Sequence, residues 1–348
     1  MSSKSNGRDE RGESLLSPLM KTNRRQFIQA SVGAILSAGL FSGCQSGGPS
    51  RRDPVPVILA TDIGDDIDDT WALGLLLKSP ELSLKLVATE YGKPQYRAKL
   101  IAKFLQQTGH AHIPIAVGPE SEPHGEGALA EWVSNYPLHS YPGPVHEDGV
   151  GAIVDTIMKS SQPVTLICIG PMPNIAAALQ REPRIAQRAR FVGMDGSVRL
   201  GYGGAKTPAA EWNVKADVAA AKKGFSAPWE MTITPLDTCG LVTLDGSRYQ
   251  QVLHSTDPVA ATIIENYRLW SKDHKAEAEQ HSSTLFDPVA VYLAFSQQFC
   301  RMERLGIRVT DDGLTVIDDQ AKPMNVATEW TNLDGFRDLL VSRLCGMA

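Results

Sequence analysis

The stretch Val55-Pro56-Val57-Ile58-Leu59-Ala60-Thr61 runs into Asp62-Ile63-Gly64-Asp65-Asp66-Ile67-Asp68-Asp69 and then into Thr70-Trp71-Ala72-Leu73-Gly74-Leu75-Leu76-Leu77. The first segment, apolar and rich in β-branched residues, reads as a strand, and the run from Thr70 to Leu77 reads as a helix. Between them stand five carboxylates in eight residues. Like charges packed that closely at a strand end repel one another unless a cation offsets them. Aspartate oxygens without histidine or cysteine suit a hard divalent ion, calcium or magnesium rather than zinc, and carboxylates converging from a flexible loop favour calcium. The competing reading is that these residues cap the helix and complement its dipole, for which one or two aspartates suffice.

Outward from this stretch the alternation of β-rich and helical segments continues. Strands are expected at Val55–Thr61, Leu84–Thr89, Ile113–Val117, Val164–Ile169, Phe191–Met194 and Met231–Thr234, and helices at Thr70–Leu77, Gln95–Thr108, Gly149–Lys159, Asn174–Gln180 and Asp217–Lys223. That order implies an α/β fold in a single large domain, residues 54–348, with a mostly parallel central sheet flanked by helices. Ligands of such sheets bind where the carboxyl ends of the strands open into loops, which is where the acidic run stands.

A formal net charge of −5 over 348 residues, with no stripe of lysine and arginine, argues against a duplex nucleic-acid partner and suits a small neutral substrate. Residues 1–53 read as a leader and tether. Asn23-Arg24-Arg25-Gln26-Phe27-Ile28 followed by the uncharged run Ala30 to Leu40 is a twin-arginine signal pattern, too short to cross a bilayer. Cys44, after Phe41-Ser42-Gly43, offers a lipid anchor; an ordinary cleaved leader is the other reading. Export to the periplasm, free or as a membrane-anchored lipoprotein, is therefore expected. Cys168, Cys239, Cys300 and Cys345 lack C-x-x-C spacing, so buried free thiols are expected rather than a zinc site or redox pair.

The run Ile58 to Gly64, followed by Asp68-Asp69-Thr70-Trp71-Ala72-Leu73, resembles the amino-terminal signature of nucleoside hydrolases, in a variant with two residues inserted between the glycine and the aspartate pair. Three later segments resemble family motifs in the same order. They are Gly170-Pro171-Met172-Pro173-Asn174-Ile175-Ala176, then Ala210-Glu211-Trp212-Asn213 with Asp217, and finally Phe286-Asp287-Pro288-Val289-Ala290. Leu236-Asp237-Thr238 also resembles a family strand end. Each has a bland alternative: Asn174 as a helix cap, Glu211 and Asn213 as solvent-facing loop residues, and Asp287-Pro288 as an ordinary helix start.

The resemblance implies a nucleoside hydrolase-like, Rossmann-like fold and calcium-dependent hydrolysis of the N-glycosidic bond of ribonucleosides or a related ribosyl compound. It assigns the metal to Asp62, Asp69, Asp287 and the Pro173 carbonyl, and makes Asp62 the general base. Asp68 and Asn213 would hold the ribose 2′- and 3′-hydroxyls and Glu211 the 5′-hydroxyl. Many members carry histidine where Phe286 stands, so the leaving-base acid is missing here; His281 and His146 are the candidate substitutes, and stacking on Trp212 or Tyr202 is the alternative. Lys93, after Glu90-Tyr91-Gly92, introduces a cation that either recognises substrate, pairs with the acidic loop or faces solvent. The expected partner is a small nucleoside or ribosyl compound, with a homo-oligomer left open and nucleoside salvage as the implied role. Two other readings stand beside this: a catalytically silent calcium- and sugar-binding protein, and a magnesium-dependent phosphohydrolase, the latter weakened by the lack of a P-loop.

Overall fold

A computed structural model describes residues 53–121, 127–273 and 275–347. The twin-arginine motif and Cys44 lie outside the described residues. In chain order the elements are β1 (Val55–Thr61), α1 (Asp68–Leu77), β2 (Leu82–Thr89), α2 (Pro94–Gln107), β3 (Ile115–Ala116), α3 (Ala130–Val133), β4 (Val145–His146) and α4 (Gly149–Lys159). There follow β5 (Val164–Cys168), α5 (Pro173–Arg181), β6 (Ala189–Met194), α6 (Trp212–Ala216), α7 (Val218–Ser226), β7 (Met231–Thr234), α8 (Gly246–Leu253) and α9 (Pro258–Trp270). The chain ends with α10 (Lys275–Ala278), α11 (Pro288–Leu293), β8 (Cys300–Val309), β9 (Thr315–Ile317), β10 (Pro323–Trp330) and α12 (Leu333–Leu344).

The strands make one sheet in the order β4-β3-β2-β1-β5-β6-β7-β10-β8-β9. Pairing is parallel from β4 through β10 and antiparallel in the terminal β10-β8-β9 ribbon. Alternation of side chains across β1 explains the two layers that bury it. Val57 and Leu59 pack with residues of α1, α2, α8, α9, α11 and α12, among them Trp71, Phe104, Tyr249 and Phe336. Ile58 and Ala60 pack on the opposite face with Ile153 of α4, Ile175 of α5 and Phe225 of α7. All four β1 side chains are fully buried, which explains why the strand reads as an unbroken apolar run rather than an alternating one.

Crossovers run outward from β1 through β2 and β3 to β4 in one direction and from β5 through β6 to β7 in the other, with α4 carrying the chain back from β4 to β5. The loops leaving β1 and β5 therefore diverge and open a crevice at their carboxyl ends. The acidic run leaves β1 and the Ile169-Gly170 segment leaves β5, so the topology brings two of the expected motifs together. The expected strand at Ile113–Val117 contracts to Ile115–Ala116: Ile113 closes a turn onto the His110 carbonyl at 3.1 Å, its own carbonyl accepts the Tyr141 hydroxyl at 2.6 Å, and Pro114 has no N–H to give. The four cysteines of the described region are free, three of them buried.

Candidate active site

Asp62 leaves the end of β1, Asp68 and Asp69 open α1, and Asp287 immediately precedes Pro288 at the start of α11. Three of these sit where a side chain could cap its own helix, yet neither helix has a side-chain cap: the N-cap of α1 is Ile67, and Asp287 makes no capping bond to α11. Their carboxylates turn instead toward each other. Asp68, Asp69 and Asp287 each offer an oxygen, and these oxygens all lie within 4.8 Å of one another. Asp68 Oδ2 accepts the main-chain N–H of Phe286 at 3.2 Å and of Asp287 at 3.3 Å, which fixes the two helix starts in register. Asp69 accepts the Thr61 hydroxyl, whose oxygen in turn accepts the Ile63 N–H at 3.1 Å.

Gly170 lets Asp62 approach the β5 end, since a Cβ there would stand 2.7 Å from Asp62 Oδ1. All four carboxylates are at most 7 % exposed. Burial pushes Asp62 up to about 6 and pushes Asp68, Asp69 and Asp287 well above the usual carboxylate range; neighbouring carboxylates add to each, Asp65 and Asp66 in the case of Asp62. Asp62 is the least shifted because the Arg97 guanidinium opposes the trend. A buried, all-oxygen donor set with its proton affinity raised in this way is the environment a hard divalent cation stabilises.

Above the carboxylates lies a cavity of about 370 Å³, within the range of small-molecule sites. Glu211 and Asn213 enter it from the start of α6, and both are buried rather than solvent-facing. Glu211 accepts main-chain N–H groups of Asn213 at 2.7 Å, Gly196 at 2.9 Å and Val214 at 3.3 Å; burial nonetheless lifts its carboxyl to about 7. Asn213 Nδ2 donates to the Met194 carbonyl at 2.9 Å, which leaves its Oδ1 to face a ligand. The remaining wall is aromatic: Trp212, Tyr202, Phe286 and Trp270. Tyr202 meets Phe286 edge to face at 6.2 Å, and its hydroxyl oxygen accepts the main-chain N–H of Trp212 at 2.9 Å. Trp212 is 49 % exposed and Tyr202 45 %, unusual for rings of that size and expected of a surface that a flat ligand covers.

The cavity thus gathers Asp62, Asp68, Asp69, Asp287, Glu211, Trp212 and Asn213. The remaining expected residues fall elsewhere. Pro173 opens α5 outside the cavity lining, and Ile169 is the β5-end residue that reaches it. Asn174 does not cap α5, whose N-cap is Met172; its amide donates to the Thr89 carbonyl at 2.5 Å and its N–H to Glu90 at 3.1 Å, tying α5 to the end of β2. Lys93 is the N-cap residue of α2 and lies outside the lining. The cation that meets the acidic loop is Arg97, which pairs with Asp65 at 2.7 Å and was not singled out from sequence. His146 belongs to the edge strand β4 and borders a different cleft, with Glu147 and Arg181. His281 is exposed, and its Nδ1 lies 3.0 Å from the Ser282 carbonyl. No histidine, lysine or arginine lines the cavity among the described residues. Asp237 has a structural task, accepting N–H groups of Val198 at 2.9 Å and Arg199 at 2.7 Å.

A doubly wound sheet with a carboxylate cluster at its switch point, roofed by polar and aromatic side chains, places a metal-binding, small-molecule site at the strand ends. The family model described as inosine-uridine preferring nucleoside hydrolase matches residues 57–338, and the chain belongs to that family. It is a hydrolase of the N-glycosyl bonds of ribonucleosides, from a metal-dependent family, and its buried acidic cluster can hold a metal. Among similar sequences is the pyrimidine-specific ribonucleoside hydrolase RihA of Enterobacter sp. (strain 638), 30 % identical over 316 residues, covering 83 % of this chain and 97 % of the relative. Among solved structures, a plant nucleoside hydrolase, the PpNRh1 enzyme, superposes with a TM-score of 0.72 at 21 % identity over 84 % of this chain and 99 % of that one. The purine-preferring ribonucleoside hydrolase from Gardnerella vaginalis gives 0.68 at 22 % identity over 84 % and 98 %. These two share the fold.

Proposed function

We propose that this chain hydrolyses ribonucleosides with a bound calcium ion held by Asp62, Asp69 and Asp287, and that Asp62 is the general base. The observation that carries the reading is the convergence of Asp68, Asp69 and Asp287 oxygens from segments more than 200 residues apart; Asp62 stands outside that close group and lines the same cavity. At the β5 end we assign the carbonyl ligand to Ile169, which lines the cavity, rather than to Pro173, which does not. When bound, the ion would acidify a water and hold sugar hydroxyls in register.

The rest of the work falls to the chain's own groups. In the metal-free fold Asp62 stands at about 6; a cation beside it would lower that value, keeping the carboxylate ionised at neutral pH and able to take a proton from the attacking water. Asp68 is held in place by the two N–H groups of Phe286 and Asp287 and presents its other oxygen to the ribose; Asn213 Oδ1 and Glu211 supply further hydroxyl partners. The ionised carboxylates stabilise positive charge developing on the sugar. Trp212, Tyr202, Phe286 and Trp270 would enclose the base by stacking. No histidine, lysine or arginine lines the cavity among the described residues, so the leaving base would take its proton from solvent or from Glu211, whose carboxyl burial lifts to about 7.

A second reading, a silent calcium- and sugar-binding protein, has one observation in its favour: among the described residues no histidine lines the cavity to serve as the leaving-group acid. The magnesium phosphohydrolase reading loses ground, since the lining holds no lysine or arginine for a phosphate. Incubating the protein with a panel of purine and pyrimidine ribonucleosides, with calcium and with chelator, decides between the first two. Free base released only with calcium supports catalysis; ligand binding without any base release establishes the silent reading.

A further inference from the structure

Four consecutive main-chain carbonyls of the acidic loop are each bound by a side chain from outside the loop. Arg97 Nη1 donates to the carbonyls of Asp62 and Ile63, the latter at 3.0 Å. The Tyr96 hydroxyl donates to the Gly64 carbonyl at 2.9 Å, and Trp270 Nε1 to the Asp65 carbonyl at 3.0 Å. Tyr96 is itself held, its oxygen accepting the Leu129 N–H at 2.9 Å. Arg97 is 1 % exposed and spends its other donors on the Tyr91 carbonyl at 2.8 Å, where Tyr91 takes a positive φ of 47°, and on the Asp65 carboxylate at 2.7 Å. Gly64 has a φ of 113° and no room for a side chain, since a Cβ would stand 2.3 Å from Leu100 and 2.8 Å from Tyr96. The loop therefore wraps tightly over two adjacent residues of α2.

A loop crowded with carboxylates has every electrostatic reason to open when no metal is bound. A carbonyl is also a good calcium ligand, so a slack loop would offer the ion many alternative arrangements. Drawing the carbonyls to outside donors removes both freedoms and leaves the carboxylates facing the cavity. We propose that Tyr96 and Arg97 are positioning residues that hold the acidic loop in its metal-binding shape before the ion arrives. The proposal rests on the metal reading above but adds a role for residues that touch neither substrate nor metal.

Charge and position make opposite predictions for Arg97, which makes the proposal sharp. If the guanidinium acted only as a charge, removing it would tighten cation binding, because a like charge would be gone. If it acts by position, removing it loosens binding. In the full chain, calcium affinity is measured by calorimetry on chelator-stripped protein for wild type, Arg97→Gln, Arg97→Lys and Tyr96→Phe. The expected result is a dissociation constant raised at least tenfold in Arg97→Gln and Arg97→Lys, since an ammonium cannot span the same set of acceptors. Tyr96→Phe, which keeps the ring and alters no charge, is expected to raise it about threefold. At saturating calcium kcat should return to within about threefold of wild type, because the ion then imposes the shape; a merely structural defect would leave kcat low. Arg97→Gln binding calcium as tightly as wild type or more so overturns the proposal, as does full affinity in both Arg97→Lys and Tyr96→Phe. Should Arg97→Gln fail to fold, Tyr96→Phe decides alone. A wild type that binds calcium but releases no base refutes the catalytic reading and leaves this one standing; a wild type that takes up no calcium refutes both.

Discussion

Protons and calcium should compete for the same carboxylates, and the contest can be put in numbers. Asp62 titrates at about 6 in the metal-free fold. If the ion binds only its ionised form, the apparent dissociation constant scales as one plus ten to the power of the carboxyl pKa minus pH. That factor is about 1.1 at pH 7 and about 11 at pH 5, so binding weakens roughly tenfold, or about 1.4 kcal/mol, from this one group. Asp68, Asp69 and Asp287 are raised further, so tenfold is a lower bound. The sign for stability follows from the same shifts. A carboxylate whose folded pKa lies above its unfolded value takes stability away as pH rises from the unfolded value through the folded one. Chelator-treated protein should therefore gain from these groups at pH 5 relative to pH 7, and calcium-loaded protein should reverse the order. At fixed calcium the ion's stabilisation should shrink by at least about 1.4 kcal/mol between pH 7 and pH 5, or about 2 °C in melting temperature for a domain of this size. Calorimetric titration at both pH values, in buffers of different ionisation enthalpy, counts the protons displaced. An equal dissociation constant at pH 5 and pH 7, with no proton released, would refute the reasoning.

Other perturbations separate the roles of neighbouring groups. Asp62→Ala should lower kcat at least a thousandfold while Asp65→Ala, on the exposed part of the loop, should cost less than about tenfold; steady-state rates with a good substrate check both. His281→Ala should leave the pH–rate profile unchanged, because the residue lies outside the cavity, and a lost acidic limb would show otherwise. Asp195 is fully buried with both carboxyl oxygens unpartnered, and burial, then Glu211, push its carboxyl well above the usual range. Asp195→Ala should thus stabilise the protein by about 1–3 kcal/mol at pH 8 and by less at pH 4, read by chemical denaturation, since the penalty grows as pH rises past the unfolded carboxyl value.

The centre of the parallel sheet is legible in the sequence because β1, β5, β6 and β7 are buried at nearly every position and stand out as apolar runs, whereas the exposed edge strand β4 gives no such signal. Beyond Met231–Thr234 no elements were anticipated. The reason is visible in β8, where exposed and half-buried residues outnumber buried ones and the apolar signal dissolves. The four carboxylates are legible from their motifs, but that Ile169 lines the cavity while Pro173 does not depends on the course of the turn after β5, which the motif alone does not give. Arg97 carried no local signal at all. It sits in a helix where an arginine is ordinarily solvent-facing, and only the folded loop shows what it touches. The histidines misled for the converse reason: their chemistry suits an acid, but β4 and the segment before Ser282 place them away from the cavity.

The late position of Asp287 has a consequence for biosynthesis. A nascent polypeptide displays the whole acidic run some 220 residues before its last partner is translated, so for most of its assembly it carries concentrated negative charge with no pocket to put it in. Fragments ending before Asp287 should be inert toward both ion and nucleoside. Competence would then arrive as a single late event, and uptake of the ion would report that the molecule is whole.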